Sequence, residues 1–275
     1  MKLAVCIGIN DYPGTANDLS GCRNDAEDWS AALQSRGFTT RRLLDEAASG
    51  EAIRTAIRSL LSQATTGDAV VITYSGHGTW LPDTNGDEPD HRDEALCPHD
   101  IAENGPLLDD ELHDLFALAP EGVRTVLISD SCHSGTLTRL AHAPTPPLAL
   151  TPLDVTAPHV LPARPRFLPP STFLPPQGYL RAAAATKTPR KPDPRPTALL
   201  LSGCTDPEYS YDATFDGRPN GAFTYVALTT LAGLPPKATY RDWLNAIRAT
   251  LPSETYPQTP SLQATKPQLA WPLLS

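Results

Sequence analysis

Thr125–Gly135, TVLISDSCHSG, is the stretch whose reading decides the fold. Val126, Leu127 and Ile128 form a short apolar run rich in β-branched residues, the mark of a buried strand. The run breaks into small and polar residues: Ser129, Asp130, Ser131, Cys132, His133, Ser134 and Gly135. In an open α/β sheet chemistry collects at the carboxyl ends of strands, where side chains leave the core and face a crevice. A second stretch has the same form. Ala69–Tyr74 (AVVITY) is apolar and gives way to Ser75, Gly76, His77, Gly78 and Thr79. A lone Cys ending a strand is usually a small buried hydrophobe, and a lone His between glycines is as often a turn residue. Found together on two strand ends, they are what a thiol hydrolase needs: a nucleophile and a base that later protonates the leaving group.

Outward from these two runs the chain alternates strand and helix. Leu3–Ile9 is a first strand, followed by the turn-rich NDYPGTAN and a helix with Cys22, Ala26, Trp29 and Leu33 on one face. Gly37 sits where a helix-closing glycine belongs. Thr39–Leu44 is a second strand and Glu51–Gln63 a helix with Ile53, Ile57, Leu60 and Leu61 inward. Such alternation implies right-handed crossovers and a largely parallel sheet. Leu107–Leu118 reads as a helix after Gly-Pro, with Asp109, Asp110 and Glu111 complementing its dipole. Between Pro144 and Pro196 lie fifteen of the chain's 30 prolines. That segment cannot build a sheet or a long helix and reads as an extended connector. Order returns with the strand TALLLSG at Thr197. Helices over Ala222–Ala232 and Tyr240–Leu251 follow, then Gln268–Trp271 as a last strand.

The 275 residues carry a net charge of −9, with 40% hydrophobic and 19% charged residues. These values suit a soluble globular protein with a sizeable core. The absence of a basic cluster argues against nucleic acid or an anionic membrane as partner. Five cysteines without regular spacing make no disulfide framework and suit a reducing, cytoplasmic setting. MKLAVCIGIND has too short an apolar core for a signal peptide, and no run approaches the length of a membrane span. The acidic loop Asp83–Asp100 places its glycine wrongly for an EF-hand and has no bracketing helices. Cys97 with His99, or Cys132 with His133, lacks the Cys-x-x-Cys pairs of a structural zinc site.

The paired strings YSGHGT and DSCHSG resemble those of the caspase-like cysteine peptidases, and most closely of the metacaspases. AVCIGINDYPGTANDLSGCRNDA is similar to that family's opening strand, loop and helix, and LLLSGCTDPEYSYDA…GAFTYVAL to its small-subunit half. The resemblance implies one caspase-like domain, a mostly parallel six-stranded sheet between helices with an antiparallel last strand. Residues 1–140 would be the large-subunit-like half, 141–196 the connector and 197–275 the small-subunit-like half. It further implies a dyad of His77 and Cys132, with an oxyanion hole made by the backbone N–H groups of Gly78 and Cys132. Asp25, Ser75 and Asp130 match the family's substrate-pocket positions, so cleavage after Arg or Lys is expected, because paired carboxylates accept a guanidinium or ammonium. Substrates would be proteins or peptides with basic residues, the protein a monomer. Self-cleavage in the connector would fall at Arg166, Arg181, Lys187 or Arg190. Arg164, Lys191 and Arg195 each precede a proline, whose amide resists hydrolysis.

No cofactor is needed for this chemistry. Many metacaspases are switched on by Ca²⁺ held by four acids, and Asp93, Asp109 and Asp110 match three of them. The fourth position is Arg139, which cannot ligate a cation. The expectation is that Arg139 replaces the ion; the competing one has Asp87 or Asp90 completing the site. Two other functions stay open: a catalytically silent caspase-fold module that binds basic peptides, and a legumain-like peptidase acting after Asn.

Overall fold

The structure, a computed structural model, describes residues 1–82, 92–132, 163–174, 197–205 and 208–275. In chain order the first half holds β1 (Lys2–Gly8), α1 (Cys22–Gln34), β2 (Thr39–Leu44), α2 (Gly50–Gln63), β3 (Ala69–Ser75), β4 (Gly78–Pro82), β5 (Arg92–Leu96), α3 (Ile101–Asn104), β6 (Leu107–Leu108), α4 (Asp109–Phe116) and β7 (Arg124–Asp130). The second holds β8 (Arg164–Pro165), α5 (Pro170–Phe173), β9 (Leu199–Ser202), β10 (Tyr211–Phe215), β11 (Arg218–Gly221), α6 (Ala222–Gly233), α7 (Tyr240–Arg248), β12 (Ser261–Gln263) and α8 (Lys266–Leu269).

Six strands form the main sheet in the order β12-β9-β7-β3-β1-β2. All neighbours run parallel except β12, which is antiparallel to β9. The strands are apolar almost throughout because both faces are covered. Val5, Ile7, Val70, Ile72 and Leu127 face one core with Ile53, Ile57 and Leu61 of α2 and Leu112 and Leu115 of α4. Their alternates Ala4, Cys6, Val71, Val126 and Ile128 face the other, with Trp29 and Leu33 of α1, Phe223 of α6 and Trp243 of α7. Two small antiparallel sheets, β4-β5-β6 and β8-β10-β11, stand at the carboxyl end of the large one.

One pairing positions the chemistry. β3 and β7 run in register with Ser75 opposite Asp130. His77 and Cys132 each lie two residues beyond that pair, so the two strand ends deliver them at the same level of the sheet.

Three local expectations are corrected. Gln268–Trp271 is not a strand: Thr265 and Gln268 close a capping box and Pro267 sits in the first turn, so Gln268 and Leu269 complete α8, and the last strand is Ser261–Gln263. The Leu107–Leu118 stretch divides, because Leu107 and Leu108 pair with Leu96 and Ala95 before α4 begins at Asp109. The proline-rich connector does contribute to a sheet. Arg164 and Pro165 pair with β10, and Arg166, Leu168 and Phe173 are buried.

Candidate active site

His77 is held from three sides. Its backbone N–H donates to the Tyr12 hydroxyl (2.7 Å), its carbonyl accepts from the Tyr74 hydroxyl (2.7 Å), and the Tyr12 ring lies 4.7 Å from the imidazole. Gly76 must be glycine, since a Cβ there would collide with both tyrosine hydroxyls. The imidazole is 2% exposed. Its Nε2 lies 2.6 Å from the Asn17 carbonyl, which fixes the proton on Nε2 and leaves Nδ1 as the lone-pair nitrogen. Nδ1 is buried with no partner. Burial pushes the ring down to about 4 against the opposing pull of the Asn17 carbonyl, so the ring is a neutral base at pH 7.

Cys132 is fully buried next to Trp80, Phe167 and Cys204. Its sulfur accepts from the Ser210 backbone N–H (2.7 Å) and lies 3.3 Å from the Ser210 carbonyl. Gly78 approaches so closely that a Cβ would sit on the Cys132 carbonyl. This close approach brings two backbone donors onto one atom. Gly78 N–H (3.0 Å) and Cys132 N–H (3.2 Å) both donate to the carbonyl oxygen of Arg166.

Arg166 belongs to the proline-rich connector, and its side chain is 0% exposed. The guanidinium meets Asp25 (Nη2 to Oδ2, 2.6 Å), Asp130 (Nη1 to Oδ2, 3.1 Å) and Asp212 (Nη2 to Oδ1, 3.0 Å). Each carboxylate is itself oriented. Asp25 accepts from Asn220 and the Gly221 backbone, Asp130 from Thr224 and the Ser210 hydroxyl, and Asp212 from the Ser20 and Gly21 backbone. Gly221 leaves room for the guanidinium, since a Cβ there would overlap Asp130 and Arg166. Arg166 N–H donates to the Ser210 carbonyl (2.9 Å), extending the short pairing of β8 with β10.

Of the residues singled out in sequence, Gly78, Cys132, Asp25 and Asp130 thus converge on one residue, Arg166, while His77 is held by Tyr12, Tyr74 and Asn17. Ser75 does not join them by hydrogen bond: its hydroxyl is buried at the end of β3 without a partner. The third carboxylate comes instead from Asp212, which in sequence is one acid among several in a loop. Nothing marks it until β10 carries it to the site. The Asn17 carbonyl and the Ser210 backbone groups that meet the Cys132 sulfur were likewise illegible, because main-chain atoms carry no mark in sequence. Asp93 is buried on β5, and Asp109 and Asp110 open α4. Among the described residues no three His, Cys, Asp or Glu come together as a metal-holding group. Arg139, His133, Asp87, Asp90, Arg181, Lys187 and Arg190 lie outside the described residues. No described helix is long and apolar enough to cross a membrane.

A parallel-sheet crevice that presents a thiol, a neutral imidazole and two convergent backbone donors defines the class of caspase-fold hydrolases. The caspase-domain family model matches residues 1–269, and the chain belongs to that family of cysteine endopeptidases. Among its relatives are the metacaspases. Metacaspase-1 of Mycosarcoma maydis is 33% identical, over 97% of this chain and 71% of that protein. Metacaspase-1 of Cryptococcus neoformans is 32% identical, over 97% of this chain and 63% of that protein. The chain therefore spans about two thirds of the length of these fungal relatives. Metacaspase-7 of Arabidopsis thaliana is 40% identical over half of this chain and 35% of its own length. A solved Geobacter sulfurreducens protein superposes with a TM-score of 0.74 at 31% identity, covering 100% of this chain and 98% of that one.

Proposed function

We propose that the chain is a cysteine endopeptidase that cleaves after arginine, with Cys132 as nucleophile and His77 as base, and that its own Arg166–Phe167 bond is its first substrate. The observation that carries this is the seating of Arg166. Its carbonyl oxygen is on two backbone N–H groups, and its guanidinium is in a cage of three carboxylates.

In this mechanism Nδ1 of His77 takes the Cys132 thiol proton and the sulfur attacks the Arg166 carbonyl carbon. The Gly78 and Cys132 N–H groups hold the developing oxyanion, preorganised donors of the kind that lower acyl-transfer barriers most. His77 then passes its proton to the Phe167 nitrogen as the C–N bond breaks. Water hydrolyses the thioester, releasing an arginine carboxylate and restoring the thiol. The cage favours Arg over Lys, since only a planar fork reaches three carboxylates from two nitrogens. Asparagine there would leave buried carboxylates without a cation, which weighs against a legumain-like specificity.

Incubation of the purified full chain followed by intact mass and N-terminal sequencing tests this. The expected result is a new N-terminus at Phe167, absent in Cys132→Ala and in His77→Ala, each losing about 10³-fold or more of the rate. Clipping in folded Cys132→Ala would remove that residue as nucleophile. A folded wild type that neither clips itself nor cuts any arginine peptide would leave the silent-module reading standing.

A further inference from the structure

The residues after Arg166 are seated as firmly as the arginine itself. Phe167 is 7% exposed, with its ring among Trp80, Cys132, Cys204 and Tyr209. The Phe167 and Tyr209 rings lie 6.1 Å apart at 55°, a tilted aromatic pair. Leu168 is completely buried in the core under α2 and α4. Their backbone is guided too: Phe167 bridges Gly78 in the parallel sense, and Leu168 N–H donates to the Gly78 carbonyl (2.9 Å). Trp80 follows Gly78 by two residues on β4, so their side-chain positions share one face of that strand. Arg92 lies over the Trp80 ring at 4.4 Å. Tyr209 immediately precedes Ser210, whose N–H holds the Cys132 sulfur.

We propose that Trp80, Tyr209 and Cys204 form a second specificity slot, on the leaving-group side, that selects a large apolar or aromatic residue directly after the cleaved arginine. The acid cage reads the residue before the bond; this slot reads the one after it. It is apolar, already desolvated and contiguous with the nucleophile, so filling it adds burial where the bond breaks. The inference rests on the cleavage proposed above, and preferred substrates would be extended segments of the form Arg-aromatic-aliphatic, as in the chain's own Arg166-Phe167-Leu168.

The test uses the full chain after self-clipping and two quenched fluorescent octapeptides. One copies residues 163–170, and the other has glycine in place of the phenylalanine. The expected ratio of kcat/KM, phenylalanine over glycine, is about tenfold or more. Trp80→Ala should bring that ratio below about twofold, whatever it does to the separate rates. Tyr209→Ala, at a half-buried position that tolerates truncation better, should lower it in the same direction. Equal cleavage of both peptides by the wild type would overturn the slot while leaving arginine cleavage intact. Failure to cut either peptide after arginine would overturn the cleavage reading and the slot with it.

Discussion

Asp25, Asp130 and Asp212 share a single cation, and three carboxylates around one guanidinium leave the cluster with excess negative charge. Burial pushes Asp25 up to about 6 although Arg166 pulls it down, with Asp130 adding to the rise. Without the guanidinium that downward pull is lost, so the carboxyl of an empty cage protonates at still higher pH. Seating an arginine therefore expels a proton, and affinity for arginine substrates should be flat below about 6, rise with pH above it and level off only above the empty cage's own higher value. Measured on the clipped enzyme, KM for an arginine peptide should fall as the pH is raised above 6, by at most about tenfold per pH unit. Asp25→Asn should weaken binding and flatten that slope. A KM independent of pH in the wild type would mean the cage holds its charge throughout. Arg139 bears on calcium at this same scale. A guanidinium at that position predicts activity that survives a chelator and gains little from millimolar Ca²⁺, checked by adding each in turn. Strong stimulation would show that other acids complete a metal site.

Two glycines at element ends determine how closely the site's strands approach. Gly78 begins β4 against the Cys132 carbonyl, and Gly221 ends β11 against Asp130 and Arg166. Gly221→Ala should keep the fold yet slow both self-clipping and arginine-peptide cleavage by about 100-fold, the usual result of an ångström-scale displacement in a catalytic constellation. Retention of full cleavage would show that the cage tolerates expansion. The same scale explains what sequence could tell. β1, β3 and β7 were legible because fully covered parallel strands are continuous apolar runs, and their polar ends exposed His77 and Cys132. Asp25 and Asp130 were legible only through motif resemblance. Asp212 was not, because its role depends on β10 folding back beside β8. That pairing joins residues 46 or more positions apart through a proline-rich segment with no periodicity to follow. Gln268–Trp271 misled for a different reason: an apolar run of three residues is too short to outweigh a Thr-x-x-Gln capping box.

In the whole molecule the connector's own Arg166 occupies the three-carboxylate cage; on the proposed reading that cage is the substrate site and must be vacated before another peptide enters. Full-length protein should show a lag in arginine-peptide hydrolysis that matches the appearance of the Phe167 N-terminus. Arg166→Ala should stay unclipped at that bond and hydrolyse peptide without a lag, provided circular dichroism shows it folded. A lag unchanged by the substitution would uncouple clipping from activation. The sheet's outer edges favour a monomer. β2 carries exposed arginines at Arg41 and Arg42, and β12 is only three residues long with Pro260 before it and Pro267 after, features that discourage strand addition. Sedimentation should find one copy, and a stable dimer would count against the edge argument.

The burial of Arg166 also concerns how the molecule comes into being. Three negative side chains from α1, β7 and β10 must leave water together when the sheet closes, and like charges resist that step. A guanidinium tethered within the same chain arrives with them at high local concentration and neutralises part of their repulsion as they assemble. The carboxylate cage is thus cast around its own core, taking the outline of an arginine as the chain folds. On the proposed cleavage, clipping would withdraw the core from a mould that has already set.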